Sequence, residues 1–405
     1  MISNMISYAV VRTLVRVRAG SLTDRNQAAK CPMLAAWLAL ALALTAGCRP
    51  TLEQPPEPTA VTTGEASADV TAPNALCVAL DEVLDFTYRE RELSVETNAA
   101  WQVLHGVLAF QREFLITHQG QSVPAVDYLL NGGEMRGWTV EIVTNPSSGK
   151  RGLRAALELG SQAGQGHADQ WLANMVQAGV SMEQPVKVGA DAVTMQEWVA
   201  QSQWDAPRNL DREYSWTLIA LNRCLPTDTT WTASDGQPWS IQRLVEEEAS
   251  QDLTDSACGG THRAIALASA LKRRRTEGGS IDGAWLAAEE VVKEAIARAR
   301  EYQNRDGSFS TRFFERPGTS PDLALNLGCT GHTLEFLSIA LPDEALNEPW
   351  MQRAVLYLCD VFRDTRKVPL ECGALYHATH GLVLYRQRVF GPRTYAVSAT
   401  KPDAS

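Results

Sequence analysis

The chain has 405 residues and a mass of 44.3 kDa, and 45% of its residues are hydrophobic while 21% are charged. This length allows two or three domains, or one large domain built from repeats. The composition excludes a collagen, a wholly disordered chain and a multi-span membrane protein. A formal net charge of −10 argues against nucleic acid as a partner, because an acidic surface repels phosphate.

The N-terminal 48 residues have the pattern of a bacterial lipoprotein signal. A basic stretch precedes an apolar run from Met33 to Leu44, and the run is followed by Thr45-Ala46-Gly47-Cys48. Twelve apolar residues are too few for a membrane-spanning helix but suit a signal peptide. The small residues before Cys48 resemble a lipobox, so residues 1–47 are predicted to be a signal peptide and Cys48 the lipidated residue. The alternative is an apolar segment buried in a soluble fold.

Residues 48–75 contain five prolines and few large apolar side chains. Such a segment cannot bury enough surface to fold, so it is predicted to be a disordered tether. Lipid, tether and folded body together predict a protein anchored to a membrane of the bacterial cell envelope. The lipid is expected to provide the anchor, because an acidic body gains nothing from anionic lipid headgroups.

From residue 76 to residue 392 the hydrophobic periodicity predicts an all-α domain, followed by a flexible tail at 393–405. Amphipathic helices are predicted at 281–302 and 349–362, and weak strand alternation occurs only near 138–144. Six more uniformly apolar segments resemble one another and are predicted to be buried helices. They are residues 99–110, 164–175, 213–224, 258–269, 328–339 and 373–384. Six helical hairpins predict an (α/α)6 toroid, and a helical solenoid is the alternative.

Residues 303–309, with the sequence QNRDGSF, support this prediction. They resemble the repeat motif of the terpenoid cyclase and protein prenyltransferase superfamily, which shares the toroid, and a partial echo occurs at 235–239. The resemblance implies an architectural role in which Asp-Gly makes a tight turn, Gln303 ties it to a helix end and Phe309 packs between layers. The acidic motifs DxDD and DDxxD do not occur, so terpene cyclisation is disfavoured. The segments CGGTHR and QNRDGSFS are also similar to those of an uncharacterised bacterial family of envelope lipoproteins.

Six of the seven histidines fall in the six apolar segments, and in a toroid the starts of these helices would meet at one mouth. The sequence predicts that His262 and His332 exchange protons with a ligand and that Glu335 holds a ring or a hydroxyl group. Further ligand-binding residues are predicted at His105, His167, Asp169, Trp171, His377 and His380. Glycines 166, 259, 260 and 331 are expected to precede helix N-termini that point into the same space. The alternative is that each histidine caps its own helix.

The cysteines offer a second interpretation of this mouth. Cys258, Cys329 and Cys372 precede His262, His332 and His377 by four, three and five residues. Enzymes of the resembled toroid folds bind zinc through Cys and His near these helix starts, which implies a site from Cys258, His262, Cys329 and His332. The cysteines are nevertheless predicted to be small buried hydrophobic residues, since no Cys-x-x-Cys pair or disulfide scaffold is present. No cofactor is therefore expected, and the zinc site is the alternative interpretation.

Two charged runs are predicted to be structural. Residues 272–275, with the sequence KRRR, close a predicted helix where cations offset the helix dipole, and residues 246–248 are three glutamates expected on an exposed face. Three function classes therefore remain open. They are an envelope enzyme with acid–base catalysis on a glycan or other polar substrate, a noncatalytic lipoprotein that binds such a ligand, and a structural interaction protein.

Overall fold

The structure, a computed structural model, describes residues 73–145, 148–209 and 213–395. The predicted signal peptide, Cys48, residues 48–72 of the predicted tether and residues 396–405 of the predicted tail lie outside these ranges. Helices dominate the described residues, which confirms the all-α class. The helices are α1 (Pro73–Glu90), α2 (Ala100–Phe110), α3 (Ala125–Leu130), α4 (Gln170–Gln177), α5 (Met195–Asp205), α6 (Ser215–Cys224), α7 (Ile241–Ser250), α8 (Thr261–Thr276), α9 (Gly283–Glu301), α10 (Leu323–Ala340), α11 (Asp343–Leu346), α12 (Pro349–Asp364) and α13 (Cys372–Phe390).

Four antiparallel hairpins interrupt the helices, and the sequence predicted only the strand near 138–144. They are β1 (Leu115–His118) with β2 (Gln121–Pro124), β3 (Val140–Thr144) with β4 (Arg151–Ala155), β5 (Pro185–Val188) with β6 (Asp191–Thr194), and β7 (Thr230–Thr232) with β8 (Pro238–Ser240). Their tight turns use residues with positive φ, such as Gln119 and Gly120 between β1 and β2. Helices α3, α5 and α7 follow directly after β2, β6 and β8.

The helices fall into two sets that differ in burial. Nine of the eleven residues of α2 are buried, whereas α9 buries five of nineteen along one stripe. Helices α2, α4, α6, α8, α10 and α13 correspond to the six similar segments, and each packs on the next in this order. Helix α13 also packs on α2. Helix α9 packs on α8, α12 on α10, and α1 on α13, so the amphipathic helices cover the buried ones.

Helices α10 and α13 make the most extensive contact in the described residues, and glycines allow their close approach. A Cβ atom on Gly331 would lie 2.6 Å from the Cα and N atoms of Ala378, and one on Gly381 would lie 3.0 Å from the backbone N of Glu335. Gly331 lies inside α10, which begins at Leu323. The prediction that it precedes a helix N-terminus is wrong, and it serves helix packing instead.

The motif at 303–309 has the architectural role that the resemblance implied. Gly307 has a φ of +95°, and the side chain of Gln303 donates to the carbonyl oxygens of Gly307 at 3.0 Å and of Trp350, at the start of α12, at 2.8 Å. Phe309 is buried against the Trp350 ring, with centroids 6.1 Å apart. The turn therefore ties the end of α9 to the start of α12.

Three sequence expectations about boundaries and burial need correction. Glu248 is 1% exposed and lies 3.3 Å from the guanidinium of Arg263, so the glutamate run is not a wholly exposed face. The flexible tail cannot begin at 393, because Arg393 pairs with Asp85 at 2.6 Å and Tyr395 is buried. Residues 73–75 of the predicted tether belong to α1.

Two findings concern the membrane and redox predictions. Within the part of the chain that the structure describes, no helix combines the length and the apolarity that a bilayer span requires. The six cysteines in that part are all free thiols, as expected for a chain that is not a disulfide scaffold.

Candidate functional site

A cavity of about 280 Å³ lies where the first turns of the buried helices meet. Helices α2, α4, α8, α10 and α13 each contribute residues from their N-terminal halves to its wall. The predicted site residues that line it are His105, His167, His262, His332 and His377, together with Cys258. Trp101 and Phe313 provide aromatic surface beside them. The structure thus brings five of the predicted histidines to one cavity.

Cys258 is held at this cavity by an unusual backbone turn. Cys258, Gly259 and Gly260 have φ values of +50°, +62° and +94°, and Gly260 immediately precedes α8. Position 259 has no room for a side chain, since a Cβ on Gly259 would lie 2.1 Å from the Phe313 ring. Cys258 is therefore a non-glycine residue in the left-handed region, a strained arrangement that occurs mainly at functional sites.

His262 lies in the first turn of α8, and Glu213 determines its orientation. Nδ1 of His262 is 3.2 Å from Oε1 of Glu213, and Nδ1 of His167 is 3.1 Å from the same oxygen. The indole Nε1 of Trp216 is also 3.3 Å from His262 Nδ1. The indole N–H can only donate and the carboxylate can only accept, so the two contacts compete for Nδ1 of His262. The contact with Glu213 is shorter and charged, which assigns the proton to Nδ1. In the neutral ring the lone pair then lies on Nε2.

His332 has the same arrangement on α10. Its Nδ1 lies 2.8 Å from the carbonyl oxygen of Gly328 and donates to it, which again leaves the lone pair on Nε2. The Nε2 atoms of His262 and His332 are buried and have no hydrogen-bond partner among the described residues. The thiol of Cys258 and one ring nitrogen of each of these histidines lie within 4.8 Å of one another. This set, Cys258 with His262 and His332, is called the Cys-His-His cluster below.

Charges in the cluster stabilise one another. Burial would raise the pKa of the Cys258 thiol, but His332 and His262 hold this pKa well below its usual range. Burial disfavours the charged form of His262, yet Cys258 and Glu213 hold its pKa well above the usual range. Burial would likewise raise the pKa of Glu213, and the hydrogen bonds from His167 and His262 lower it. The cluster therefore favours a thiolate beside an imidazolium when no ligand is bound.

Two other histidines of the cavity, His105 and His377, favour the neutral form. Burial lowers the pKa of His105 to about 3, and burial together with His332 lowers that of His377 to about 4. The ring of His377 stacks on that of His332 with centroids 3.7 Å apart. His105 uses Nδ1 to contact the carbonyl oxygen of Trp101 at 2.6 Å.

Glu335 does not have the predicted role. Its two carboxylate oxygens accept hydrogen bonds from Nδ1 of His377 at 2.7 Å and of His380 at 2.8 Å. Burial would raise its pKa, but the two histidines hold that pKa well below its usual range. Glu335 is 3% exposed and does not line the cavity, so it orients His377 and His380 instead of contacting a ligand there.

Other predicted site residues lie elsewhere. Asp169 accepts a hydrogen bond from Thr217 at 2.7 Å and does not line the cavity, while Trp171 is fully buried in the core. His380 lines a different cavity, at the other end of the buried helices. Of the four predicted metal ligands, Cys329 reaches the cavity wall but contacts the carbonyl oxygen of Thr311 and is not part of the cluster.

Glu213 is the functional residue that the sequence predictions missed. It opens the segment 213–224, three residues before Trp216, the residue that aligns with the histidines of the other segments. A carboxylate just ahead of this helix start is the signal available in the sequence.

A comparison with protein-family models finds no match for this chain, and a comparison with curated proteins finds no significant match.

Proposed function

We propose that the described domain is an (α/α)6 toroid with α2, α4, α6, α8, α10 and α13 as its inner helices. The cyclic order of contacts supports this, since the first and last repeats of an open solenoid do not touch. Two cavities support it further. The starts of five of these helices line one cavity. Residues toward the C-terminal ends of α4, α6, α8, α10 and α13, with Gln111 directly after α2, line the other, as parallel helices in a ring predict.

The function that the geometry supports best is a metal-dependent catalytic centre at the Cys-His-His cluster, acting on a polar ligand such as a glycan. The observation that carries the proposal is the pair of buried Nε2 atoms without partners, beside one thiol. A thiol proton, or a thiolate that accepts from one imidazolium, satisfies only one of these two nitrogens. A single divalent cation satisfies both nitrogens and the sulfur, and removes the cost of burying unpaired polar atoms.

The donor set fits zinc. One sulfur and two imidazole nitrogens are ligands that zinc prefers, and three protein ligands leave a fourth position open, as in catalytic sites. The Nδ1 atoms of both histidines contact acceptors, Glu213 and the Gly328 carbonyl, which is how metal-binding histidines are usually oriented. A bound zinc ion would supply Lewis-acid activation of a polar group on the substrate or of water.

Other residues of the cavity can bind and orient the ligand. Because Nδ1 of His377 donates to Glu335, Nε2 of His377 is left as an acceptor on a neutral ring. Trp101 and Phe313 offer apolar faces on which a sugar ring can stack, and Gln162 and Gln170 offer amide groups. This combination of aromatic and amide groups favours a polyhydroxylated ligand.

The proposed location is the bacterial cell envelope, with lipid on Cys48 as the anchor. It rests on the sequence pattern of residues 33–48, which lies outside the described residues.

Cobalt binding tests the metal centre. Metal-free protein is titrated with Co²⁺, and absorption reports both tetrahedral coordination and thiolate-to-metal charge transfer. We expect one equivalent to bind, and Cys258→Ser to abolish the charge-transfer band. Glu213→Gln should weaken affinity by roughly 10–100-fold. Cys329→Ser is the matched control, since this nearby buried thiol lies outside the cluster. A charge-transfer band that persists in Cys258→Ser, or no binding at all, would refute the metal centre.

A second candidate function follows from the turn at Cys258. A strained thiol beside His262, which Glu213 orients, has the nucleophile, base and orienting group of a covalent thiol catalyst. This alternative needs no metal. Rapid alkylation of Cys258 by iodoacetamide at pH 7, combined with no binding of Co²⁺ or Zn²⁺, would favour it. Metal binding without turnover of any substrate would instead favour the noncatalytic ligand-binding lipoprotein.

A further inference from the structure

The second cavity lies at the opposite end of the buried helices and has a volume of about 640 Å³. Residues from the last turns of α4, α6, α8 and α10, from the second half of α13 and from the end of α2 line it. Its volume is within the range of small-molecule sites, roughly 300–1,000 Å³. The Cys-His-His cluster contributes nothing to it.

Two exposed cations without a direct ion-pair partner among the described residues lie at this cavity, which Glu277 also lines. Arg223 and Lys272 line it, and neither forms an ion pair within the ranges that the structure describes. Arg273 lies beside them and, unlike them, has an acidic partner. It pairs with Glu277 at 2.7 Å and donates to the carbonyl oxygen of Arg223 at 2.8 Å. In a chain with a net charge of −10, two unpaired cations at one concave surface favour an anionic ligand.

Neutral polar groups surround these cations. The side chain of Asn222 is 5% exposed, and its Oδ1 is buried without a hydrogen-bond partner in the described part of the chain. His380 donates from Nδ1 to Glu335, so its Nε2 remains an acceptor on the cavity wall. Gln111, Gln177 and Gln387 add three amide groups that can both donate and accept.

We propose that this second cavity binds an anionic, polyhydroxylated ligand, a sugar that carries a carboxylate or a phosphate. Lys272 and Arg223 bind the anionic group, while Asn222, His380 and the glutamine amides bind the hydroxyl groups. Amides and imidazole acceptors match hydroxyl groups, which both donate and accept, better than they match a simple inorganic anion. The proposal is independent of the proposed metal centre.

The cations also have a structural alternative. Helix C-termini carry partial negative charge, and cations in the last turn offset it. Arg273 serves this purpose directly by binding carbonyl oxygens at the end of α6. If Arg223 and Lys272 only do the same, their loss should lower the stability of the fold and should not change ligand binding.

Calorimetric titration of the full chain tests the proposal with three probes: glucuronate, glucose 6-phosphate and glucose. We expect glucuronate or glucose 6-phosphate to bind at least about tenfold more tightly than glucose, because hydrogen bonds between charged groups are stronger. The tighter of the two acidic sugars identifies the anionic group. Lys272→Met and Arg223→Met should each weaken its binding about tenfold or more.

Arg275→Met is the matched control, since Arg275 belongs to the same basic run but does not line the cavity and pairs with Glu289. It should leave binding unchanged, and so should Cys258→Ser, which separates this site from the metal centre. Melting temperatures establish that each variant is folded. Binding of glucose as tight as that of both acids, no binding of any probe, or unchanged binding in folded Lys272→Met and Arg223→Met would overturn the proposal.

Discussion

Gly331→Ala tests the close contact between α10 and α13. An added Cβ would lie 2.6 Å from both the Cα and N atoms of Ala378. Backbone atoms cannot swing aside as a side chain can, so the two helices must separate. The same two helices carry Glu335 and its partners His377 and His380, so the change also strains hydrogen bonds of 2.7 and 2.8 Å.

Gly328→Ala provides the reference for the magnitude. It lies one turn earlier on α10, and its added Cβ would be 3.4 Å from the Cβ of Ala374, close to ordinary contact. Both substitutions gain up to about 1 kcal/mol of helix propensity. The added Cβ of Gly331→Ala is 0.8 Å closer to α13 than that of Gly328→Ala, at 2.6 Å against 3.4 Å. Only Gly331→Ala therefore requires the two helices to move apart by a distance of this order. Overpacking of this kind costs about 1–3 kcal/mol.

Urea denaturation followed by tryptophan fluorescence measures the difference, and the chain has eleven tryptophans. We expect Gly331→Ala to be less stable than Gly328→Ala by about 1–3 kcal/mol, with a lower transition midpoint. Equal midpoints for the two variants would show that α10 and α13 are farther apart than described.

Three further predictions concern other parts of the chain. Gly307→Ala should lower the melting temperature, because the φ of Gly307 is +95° and a Cβ there would lie 2.5 Å from the Arg353 carbonyl oxygen. An unchanged melting temperature would contradict the described conformation of this turn. Arg263→Met should lower the free energy of unfolding by about 3–5 kcal/mol, because it leaves the buried Glu248 without its cation. The double variant with Glu248→Gln should recover part of this stability. A denaturation series in which the double variant recovers none would show that the pair is not coupled. Cys48→Ala should release the protein from washed membranes into the soluble fraction, since the lipid is the proposed anchor, and persistent membrane association would count against lipidation.

The sequence predicts the helices well and the hairpins poorly, and both outcomes have a physical cause. A helix such as α12 spans sixteen residues, so its apolar stripe repeats several times and its period is clear. The strands of the hairpins have three to five residues, which is too short for alternation to be recognised. The turn residues Asp235-Gly236 were visible in the sequence, but they were interpreted as an echo of the motif at 303–309.

The candidate site is predictable in outline because histidines recur at equivalent positions of similar segments. Their partners are not predictable in the same way. Glu335 lies one turn from His332 on α10, which suggested a shared ligand, yet its partners are 42 and 45 residues away on α13. Which side chain faces a neighbouring helix depends on how two helices are rotated against each other, and the sequence of one helix does not contain that information.

The direction of the buried helices explains why the cysteine and histidine chemistry lies at one end of the domain. Helix N-termini carry partial positive charge, which stabilises a thiolate, and Cys258 lies at the N-terminus of α8. The opposite ends carry partial negative charge, and there the chain places Arg223, Lys272 and Arg273. In the proposed toroid, a ring of parallel helices would create two chemically different cavities from one structural repeat. Glu335 lies between them, bonded to His377 of one cavity and His380 of the other, so a variant of this carboxylate should disturb ligand binding at both ends.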